Sequence, residues 1–332
     1  MKIINMNFGI LRKFDRHFRI QLKYLTVKKF FNILTALTEY LFCARKLKSK
    51  PFLLKIEPSS FCNLKCLGCR TGVEDNFKDG TMPLERYKEI IDELGSSLIE
   101  VVLYLWGEPL INKKIIEMVS YASEKNIGSV ISTNVHFLTK EVSEGLVRAK
   151  LDKLIVCIDG LDQETYEDIR AGGNLEVVMK NFYTLLETRK ESGARYPLVE
   201  WQFIRTDSNE HQIEEARALA AKKGVDVFTV MEDLSKRRDQ KNKSTSGSKK
   251  SLLDKRCPWL WFALAVQWDG SIYPCCHYAR DEKNRFGQMS ETSLCESWNS
   301  DPFLKSRAHF SDSSLKEDTV CYKCIHYQTG KH

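Results

Sequence analysis

Between residues 51 and 231 the chain alternates short apolar runs with longer segments in which apolar residues recur at helical spacing. The short runs predict strands, and the periodic segments predict amphipathic helices. The predicted strands are Phe52–Ile56, Leu98–Leu105, Ser129–Ser132, Lys153–Ile158, Leu198–Ile204 and Val225–Val230. The predicted helices are Leu84–Leu94, Lys113–Glu124, Lys140–Val147, Leu175–Arg189 and Gln212–Lys223. This order predicts an α/β protein with a parallel sheet, and six units instead of eight predict an open, partial (β/α)6 barrel of the TIM type.

A further helix of different character is predicted within residues 20–45. Its apolar residues at helical spacing are Val27, Phe30, Phe31, Leu34, Leu37 and Leu41, and lysines and arginines lie near both ends. Two interpretations stay open for this basic amphipathic segment. It is either a helix that packs on the main domain, or a helix that lies on an anionic membrane surface through residues 20–48. The uncharged run Phe30–Thr38 is too short to cross a bilayer, which requires about 20 apolar residues.

The charge of the chain is unevenly distributed. Residues 1–50 have a net charge of +10, whereas the whole chain has +7, so the remainder is slightly acidic at −3. A nucleic-acid enzyme is expected to carry its basic surface at the active site, so this distribution argues against one. The hydrophobic fraction of 42% is sufficient for a packed core.

Cysteine usage indicates the cellular compartment and the chemistry. The eleven cysteines are an odd number, and charged residues from Arg12 onward interrupt any secretory signal. We therefore expect a cytoplasmic protein, with peripheral contact to the inner membrane face as the open alternative. In a reducing compartment, clustered cysteines indicate metal binding instead of disulfides.

Changes in composition suggest four regions. Residues 1–50 form the basic amphipathic extension, and residues 51–234 form the α/β core. Residues 235–256 are polar and basic, which is typical of a linker or mobile loop. Residues 257–332 form a small cysteine-rich domain.

Three cysteines follow the first predicted strand at CxxxCxxC spacing: Cys62, Cys66 and Cys69. Thiolates bind both iron–sulfur clusters and zinc. A structural zinc site uses four protein ligands, and the closest histidine beyond this loop is the distant His136. Three thiolates on a four-iron cluster leave one iron open to the amino and carboxylate groups of a small molecule. The spacing therefore favours a 4Fe–4S cluster, with zinc as the alternative.

This loop, placed after the first strand of a six-unit α/β chain, resembles the radical SAM superfamily, which uses S-adenosylmethionine (SAM). The resemblance covers residues 51–231. Trp106–Pro109 resembles the family's GGE-type segment, Ser132–Asn134 ends the third strand, and Asp159–Gly160 stands in the S-x-D-G position. The segment that begins at Tyr166 matches the family's Y-x-x-x-R-x-x-G pattern. The chain departs from the family at Gly68, Trp106 and Cys157, which replace an aromatic residue, a glycine and a serine.

The resemblance implies a SAM site at the ends of these strands. The implied SAM-contacting residues are Gly107, Glu108, Pro109, Ser132, Asn134, Asp159, Arg170 and Val230. By that likeness the GGE-type backbone binds the methionine amino group, and the third-strand segment contacts the ribose and carboxylate. Arg170 is a candidate partner for the SAM carboxylate, and the sixth strand would flank the adenine.

A second set of cysteines lies in the C-terminal region. Cys257, Gly270 and Cys275 stand at CX12GX4C spacing, and Cys321 and Cys324 form a CxxC pair. Spacing alone allows zinc or a fully ligated cluster. The pattern resembles the SPASM/twitch extension of radical SAM enzymes, and the absence of cysteine after residue 324 favours the single-cluster twitch form. The resemblance implies Cys257, Cys275, Cys321 and Cys324 as ligands of an auxiliary 4Fe–4S cluster.

Cys276 is a possible substitute for Cys275 in that set. Cys43, Cys157 and Cys295 are expected to be inert thiols. Gly270 is predicted to form the hairpin turn before the strand that leads to Cys275.

The resemblance implies a radical SAM oxidoreductase that receives electrons from a flavodoxin- or ferredoxin-type donor. Such an enzyme cleaves SAM reductively to a 5′-deoxyadenosyl radical, removes a substrate hydrogen atom and passes an electron to the auxiliary cluster. A saccharide or lipid-linked metabolite is the expected substrate, because we find no segment that resembles a peptide-recognition domain. The alternatives are a maturase of a ribosomally made peptide and a non-catalytic metal-binding scaffold. The sequence does not identify a catalytic base, although Gln202, Arg205 and Glu232 could face the substrate.

Overall fold

A computed structural model of the protein describes residues 20–73, 79–232, 256–279, 281–311, 315, 318–322 and 324. The predicted α/β fold with a partial barrel is confirmed. The core strands are β1 (Leu53–Ile56), β2 (Glu100–Leu103), β3 (Gly128–Thr133), β4 (Lys153–Cys157), β5 (Leu198–Arg205) and β6 (Val227–Glu232). The helices of this part are α1 (Val27–Leu41), α2 (Arg70–Val73), α3 (Leu84–Leu94), α4 (Ile115–Glu124), α5 (Lys140–Arg148), α6 (Gln163–Ile169), α7 (Leu175–Glu191) and α8 (Ile213–Lys222).

The C-terminal region adds strands to the same sheet. Its elements are α9 (Trp259–Phe262), β7 (Ala263–Val266), β8 (Ser271–Tyr273), β9 (Gly287–Gln288), α10 (Leu294–Ser297) and α11 (Asp301–Ser311). The strand order is β6-β5-β4-β3-β2-β1-β7-β8-β9, and all strands from β6 to β7 run parallel. Because β7 pairs with β1 along its full length, the sheet continues across the predicted domain boundary, which itself stays a prediction. The predicted linker lies outside the described residues except for Arg256.

The two faces of the sheet differ in what covers them. Leu54 and Ile56 of β1 point into the large apolar core that fills the space between sheet and helices. Side chains alternate along a strand, so Lys55 between them points to the opposite, concave face. A smaller cluster that includes Val130 and Ile155 lies on that concave face. The concave face is therefore partly polar and suited to a bound molecule.

One predicted loop contains a helix. The sequence predicts no secondary structure between the fourth strand, which ends at Ile158, and the helix that begins at Leu175, but α6 occupies residues 163–169 of this polar segment. The Asp162 side chain accepts a hydrogen bond from Thr165 N and caps the start of this helix. An aspartate at this position was the sequence signal for a helix, although the polar composition of the segment is also typical of a turn. The correction matters because α6 presents Arg170 to the cysteine loop.

The helix α1 packs on the domain, but not through its apolar residues. Ala36 and the stem of Lys29 are buried, and the ring of Tyr40 packs against Trp261 and Phe262. The six apolar residues at helical spacing are between 42% and 76% exposed. The structure thus packs α1 on the domain, as the first interpretation expects, and leaves its apolar side exposed, so contact with a membrane stays a prediction.

A buried arginine joins α11 to three other segments. Arg307 is fully buried, and its Nε donates to Leu260 O at 2.8 Å. Its Nη2 donates to Trp298 O at 2.8 Å, and its Nη1 donates to Arg45 O at 3.3 Å. One guanidinium therefore satisfies carbonyl groups that would otherwise be buried without donors.

We predict that Arg307→Met lowers the free energy of unfolding by about 2–4 kcal/mol, because these carbonyl groups lose their donors. The matched control is Arg217→Met on α8, whose half-exposed side chain lies 3.4 Å from Glu214 and should contribute less than about 1 kcal/mol. Anaerobic urea unfolding measures both variants. Equal midpoints for the two variants would contradict the assignment.

Candidate functional site

The cysteine loop that follows β1 is held by backbone hydrogen bonds from two sides. On one side, Glu108 N donates to Phe61 O at 2.7 Å, directly before Cys62. On the other side, Lys65 N and Leu67 N each donate, at 3.0 Å, to the carbonyl groups of residues 171 and 169. The loop is therefore fixed between the segment after β2 and the segment after α6.

Two polar side chains lie beside the predicted ligand sulfurs. Asn134 Nδ2 is 3.8 Å from Cys62 Sγ and donates to Asn63 Oδ1 at 2.8 Å. Arg170 Nη1 is 3.6 Å from Cys66 Sγ. Amide and guanidinium donors stabilise negative charge on sulfur, so both contacts favour bound thiolates.

Burial makes the thiols of Cys62 and Cys66 poor acids while no cation is bound. Burial raises the pKa of Cys62 to about 11, and it also raises the pKa of Cys66, although Arg170 opposes the shift there. A buried thiolate needs a compensating positive charge, which iron provides as the thiol proton is displaced. The three thiols and their donors therefore fit an iron–sulfur cluster, and Cys62, Cys66 and Cys69 remain our proposed ligands.

Gly107 has a conformation and an environment that only glycine tolerates. Its φ is +73°, and an added Cβ would lie 2.8 Å from Phe61 O and closer still to Ser59 O. Gly107 N is 3.3 Å from Thr71 Oγ1, just beyond the cysteine loop. The close backbone approach explains why this position of the GGE-type segment is glycine.

The Glu108 carboxylate ties β3 to this segment. It is fully buried and accepts hydrogen bonds from Thr133 Oγ1 at 2.8 Å and Asn134 N at 2.8 Å. Burial raises the pKa of Glu108 to about 6 despite these donors. Glu108 therefore acts on Asn134, and through it on the cysteine loop, instead of facing an open cavity.

Asp159 and Arg170 form a buried ion pair at the end of β4. Arg170 Nε donates to Asp159 Oδ2 at 2.5 Å, and Ile204 N donates to Asp159 Oδ1 at 2.6 Å. Asp159 thus positions Arg170 through Nε, and the Nη1 group of the same guanidinium is directed at Cys66 of the cysteine loop. The pattern Y-x-x-x-R-x-x-G also has a packing reason, because an added Cβ at Gly173 would collide with the Tyr166 ring.

The remaining predicted SAM contacts lie at different depths. Ser132 Oγ is 3.3 Å from Cys157 Sγ on the concave face, and Pro109 is buried in a turn of 3-10 helix. Val230 packs with the helix-facing core, so a contact from this position to adenine would come from its backbone. No observation tests the roles of these residues toward SAM, which stay predictions.

The second set of cysteines lines one cavity. Cys257, Cys275, Cys321 and Cys324 surround it together with Leu260, Pro274, Tyr278 and Phe310, and it encloses about 270 Å³ including space open to solvent. Burial raises the pKa of Cys257 and of Cys321 to about 12, so these thiols also require a cation to ionise. The cavity fits a group held by four thiolates. Among the described residues no group of three or more His, Cys, Asp or Glu side chains is arranged to hold a single metal ion. The assignment of ligands at both sites therefore depends on spacing and, at this site, on the shared cavity.

The other cysteines do not line this cavity. The structure places Cys275 at its wall and Cys276 outside, which favours Cys275 as the ligand. Cys43 and Cys157 are buried, and Cys295 N is bonded to Glu93 Oε1 at 2.7 Å. As predicted, the Gly270 turn (φ +89°) connects β7 to the strand that leads to Cys275.

Sequence reasoning missed a lysine on the concave face near the second cysteine site and an arginine that joins the two cysteine regions. Lys55 Nζ lies 4.3 Å from the centre of the Tyr104 ring, and both Cys275 and Cys276 lie close enough to affect its pKa, which burial lowers. Arg70, next to Cys69, donates to Ala279 O at 3.4 Å. The available signal was the position of Lys55 in the middle of a short apolar strand, where a charged side chain is unexpected unless it has a partner or a function.

The indole of Trp106 adds a donor to this region. Its Nε1 is buried and has no hydrogen-bond partner among the described residues. The Arg70 guanidinium lies 5.9 Å from the centre of the ring. A bound molecule could accept this hydrogen bond.

Of the three residues that could face the substrate, Arg205 and Glu232 are paired with each other, and Gln202 lies on the concave side of the sheet. Arg205 and Glu232 form an ion pair with each other at the ends of β5 and β6, and both side chains are about 40% exposed. Gln202 is half-buried on the concave side of β5. The ion pair gives Arg205 and Glu232 a structural role.

Comparison with known families decides the family of this chain. The profile of the radical SAM superfamily matches residues 56–200, and the profile of SPASM, an iron–sulfur cluster-binding domain, matches residues 257–325. The chain belongs to the radical SAM superfamily and carries a C-terminal SPASM domain. These domains imply a SAM-binding 4Fe–4S cluster, an auxiliary cluster and SAM itself, as the cysteine patterns predicted.

Individual relatives of this radical SAM protein have different activities. It is 32% identical over 120 residues (36% of the chain) to the AdoMet-dependent heme synthase of Methanosarcina barkeri, and 28% identical over 177 residues (53% of the chain) to the mycofactocin maturase MftC of Mycolicibacterium smegmatis. The matched segments cover 34% and 43% of these proteins, so the chain spans less than half of the length of either relative.

The fold also has counterparts among solved structures. Streptococcus suis SuiB bound to S-adenosylmethionine superposes with a TM-score of 0.62 at 19% identity, over 83% of this chain and 71% of SuiB. Among the described residues, no helix has the length and apolar character needed to cross a membrane.

We predict that Gly107→Ala destabilises the protein by about 2–4 kcal/mol. Alanine is strained at the left-handed φ of this position, and its Cβ would also collide with the backbone of residues 59–61, so the two unfavourable contributions add. The matched control is Gly193→Ala, where φ is also positive (+63°) but an added Cβ meets nothing within 4 Å. Anaerobic thermal unfolding and iron counting measure both variants. Only Gly107→Ala should also lower the iron content, and similar losses in both variants would exclude the collision as the cause.

Proposed function

We propose that this radical SAM protein is an oxidoreductase that removes two electrons from a saccharide or lipid-linked metabolite. The observation that supports the proposal is the second thiol-lined cavity beside the concave face, together with the contact of Arg70, which follows Cys69, with Ala279 O at 3.4 Å. When bound, the cofactors would supply a 5′-deoxyadenosyl radical that takes a substrate hydrogen atom, and an auxiliary cluster that accepts an electron.

The chain's own residues would position and sequester the substrate. Asp159 holds Arg170, and Glu108 holds Asn134, so that both donors stay beside the cysteine loop. Lys55 and the Trp106 indole would contact polar groups of the substrate on the concave face. A polar wall of this kind suits a hydroxylated or charged substrate more than an apolar one.

Radical SAM enzymes also need an external one-electron donor, for which we propose a flavodoxin or ferredoxin type. In our assignment of the auxiliary site, four thiolates leave no iron open to SAM. A site with three thiolates can bind SAM and a site with four cannot, so variants of the two sites should differ in SAM cleavage.

We predict that Cys62→Ala with Cys66→Ala removes one cluster and abolishes 5′-deoxyadenosine formation. Cys321→Ala with Cys324→Ala should also remove one cluster but retain SAM cleavage, because SAM binds the other site. Iron and sulfide counting on anaerobically purified protein, followed by a dithionite-driven 5′-deoxyadenosine assay, measures both.

Cys43→Ala is the matched control, since this buried thiol lines neither site, and it should retain both clusters. Zinc in place of iron, or SAM cleavage by the Cys62/Cys66 variant, would overturn the proposal.

We predict that Lys55→Met lowers formation of oxidised product by about 10²-fold or more while 5′-deoxyadenosine is still released, because substrate contact is lost and SAM cleavage is not. Lys88→Met on α3, where the lysine pairs with exposed Glu85 far from either cysteine set in the sequence, is the control. Mass spectrometry of product and 5′-deoxyadenosine in the same reaction gives the ratio. An unchanged ratio would remove Lys55 from the substrate site.

Peptide maturation is the second candidate function. The similarity to the maturase MftC over 177 residues favours it. Incubation with a precursor peptide encoded beside the gene distinguishes the two, since a maturase would change the mass of the peptide and a metabolite oxidase would not.

A further inference from the structure

The helix α1 presents an apolar stripe to solvent. The exposed residues of this stripe are Val27 (76%), Phe30 (49%), Phe31 (59%), Leu34 (49%), Leu37 (42%), Leu41 (54%) and the adjoining Phe42 (82%). At 100° per residue the first six fall within one side of the helix, opposite the buried Ala36. A helix of 15 residues is about 22 Å long, so the stripe is an extended surface and not a single exposed side chain.

The hydroxyl groups beside the stripe do not make it polar. Thr35 Oγ1 donates to Phe31 O at 2.9 Å, and Thr38 Oγ1 donates to Leu34 O at 2.8 Å. Both hydroxyl donors are satisfied within the helix, which leaves their methyl groups as part of the surface. The stripe can therefore enter an apolar medium without losing hydrogen bonds to water from these donors.

The opposite side of α1 fixes the helix to the protein. Lys29 Nζ donates to Asn126 O at 2.5 Å, and Asn32 Nδ2 donates to Lys50 O at 2.9 Å. Trp261 Nε1 donates to Ala44 O at 3.1 Å just beyond the helix. The helix cannot rotate to bury its stripe without breaking these contacts, so the stripe is a fixed surface of the folded protein.

The charges around the stripe determine what kind of surface can cover it. Lys28, Arg45, Lys46 and Lys48 are exposed near its two ends. Glu39 is the only acidic residue between positions 20 and 50, and its carboxylate is occupied by Lys48 N and by Ser49. A second copy of the chain would bring a like-charged rim against this one, whereas an anionic surface complements it.

We propose that α1 docks this protein on an anionic lipid bilayer, with the apolar stripe at the boundary of headgroups and acyl chains and the basic residues among the headgroups. Apolar burial and attraction to anionic lipid combine in such helices. Docking is reversible and needs no membrane-spanning segment. This surface lies outside the cysteine sites, so the proposal is independent of the proposed function.

The test is vesicle flotation of the full-length, cluster-loaded protein at physiological salt. Vesicles of phosphatidylcholine alone are compared with equimolar phosphatidylcholine and phosphatidylglycerol. Wild type should float with the anionic vesicles, and Phe31→Ser with Leu34→Ser should lower the bound fraction at least about tenfold. Lys46→Glu with Lys48→Glu should remove the preference for anionic lipid.

Val177→Ser on α7 is the matched control, because Val177 is also exposed (40%) but lies on another helix, and it should float as wild type does. The Phe31/Leu34 variant should keep the thermal midpoint, the iron content and the 5′-deoxyadenosine yield of wild type, which shows that the fold and both clusters are intact.

Three results would overturn the proposal. Wild type could remain with the lipid-free fraction, or the Phe31/Leu34 variant could float equally well. Light scattering could instead show a lipid-independent dimer that the same variant converts to a monomer, which would assign the stripe to a second copy of the chain.

Discussion

Burial of thiols beside fixed donors is the constraint on which the rest of this structure depends. A buried thiol stays protonated unless a cation compensates its charge, and burial raises the pKa of Cys62, Cys66, Cys257 and Cys321. Both cysteine sites are thus unfavourable for free thiolates and favourable for iron-bound ones. The strands and loops around them hold both cysteine sites near one concave surface.

The pairing of β1 with β2 and β7 brings the two cysteine sites to the same side of the sheet. β1 leads directly into the cysteine loop, and its neighbours β2 and β7 place Leu103 and Val266 opposite Ile56. The segment after β2 then supplies Gly107 and Glu108 to the loop, whereas the hairpin after β7 leads to Cys275. Two cofactor sites that are far apart in sequence thereby share the strand that carries Lys55.

The sequence predicted the parts of this arrangement that follow local rules. Strand and helix periodicity identified all six units of the core, and thiol spacing identified both cysteine sites. The sequence could not show that Asp159 and Glu108 act through Arg170 and Asn134, because those contacts form between strand ends that are distant in the chain. The helix α6 was missed because its polar residues resemble a turn, although Asp162 provided a cap.

The orientation of α1 could not be predicted from the sequence for a different reason. Helical periodicity identifies which residues share a side, but it does not state which side faces the protein. The usual assumption assigns the apolar side to the core, and here Ala36, Tyr40 and the stem of Lys29 take that place. The ordinary pattern is inverted here: Lys29 is buried, with its ammonium group donating to Asn126 O, whereas the valine, leucine and phenylalanine side chains of the helix are exposed. Exposure of these apolar side chains to water is unfavourable in free energy. Contact of the same side chains with the apolar part of an anionic bilayer would remove that unfavourable contribution.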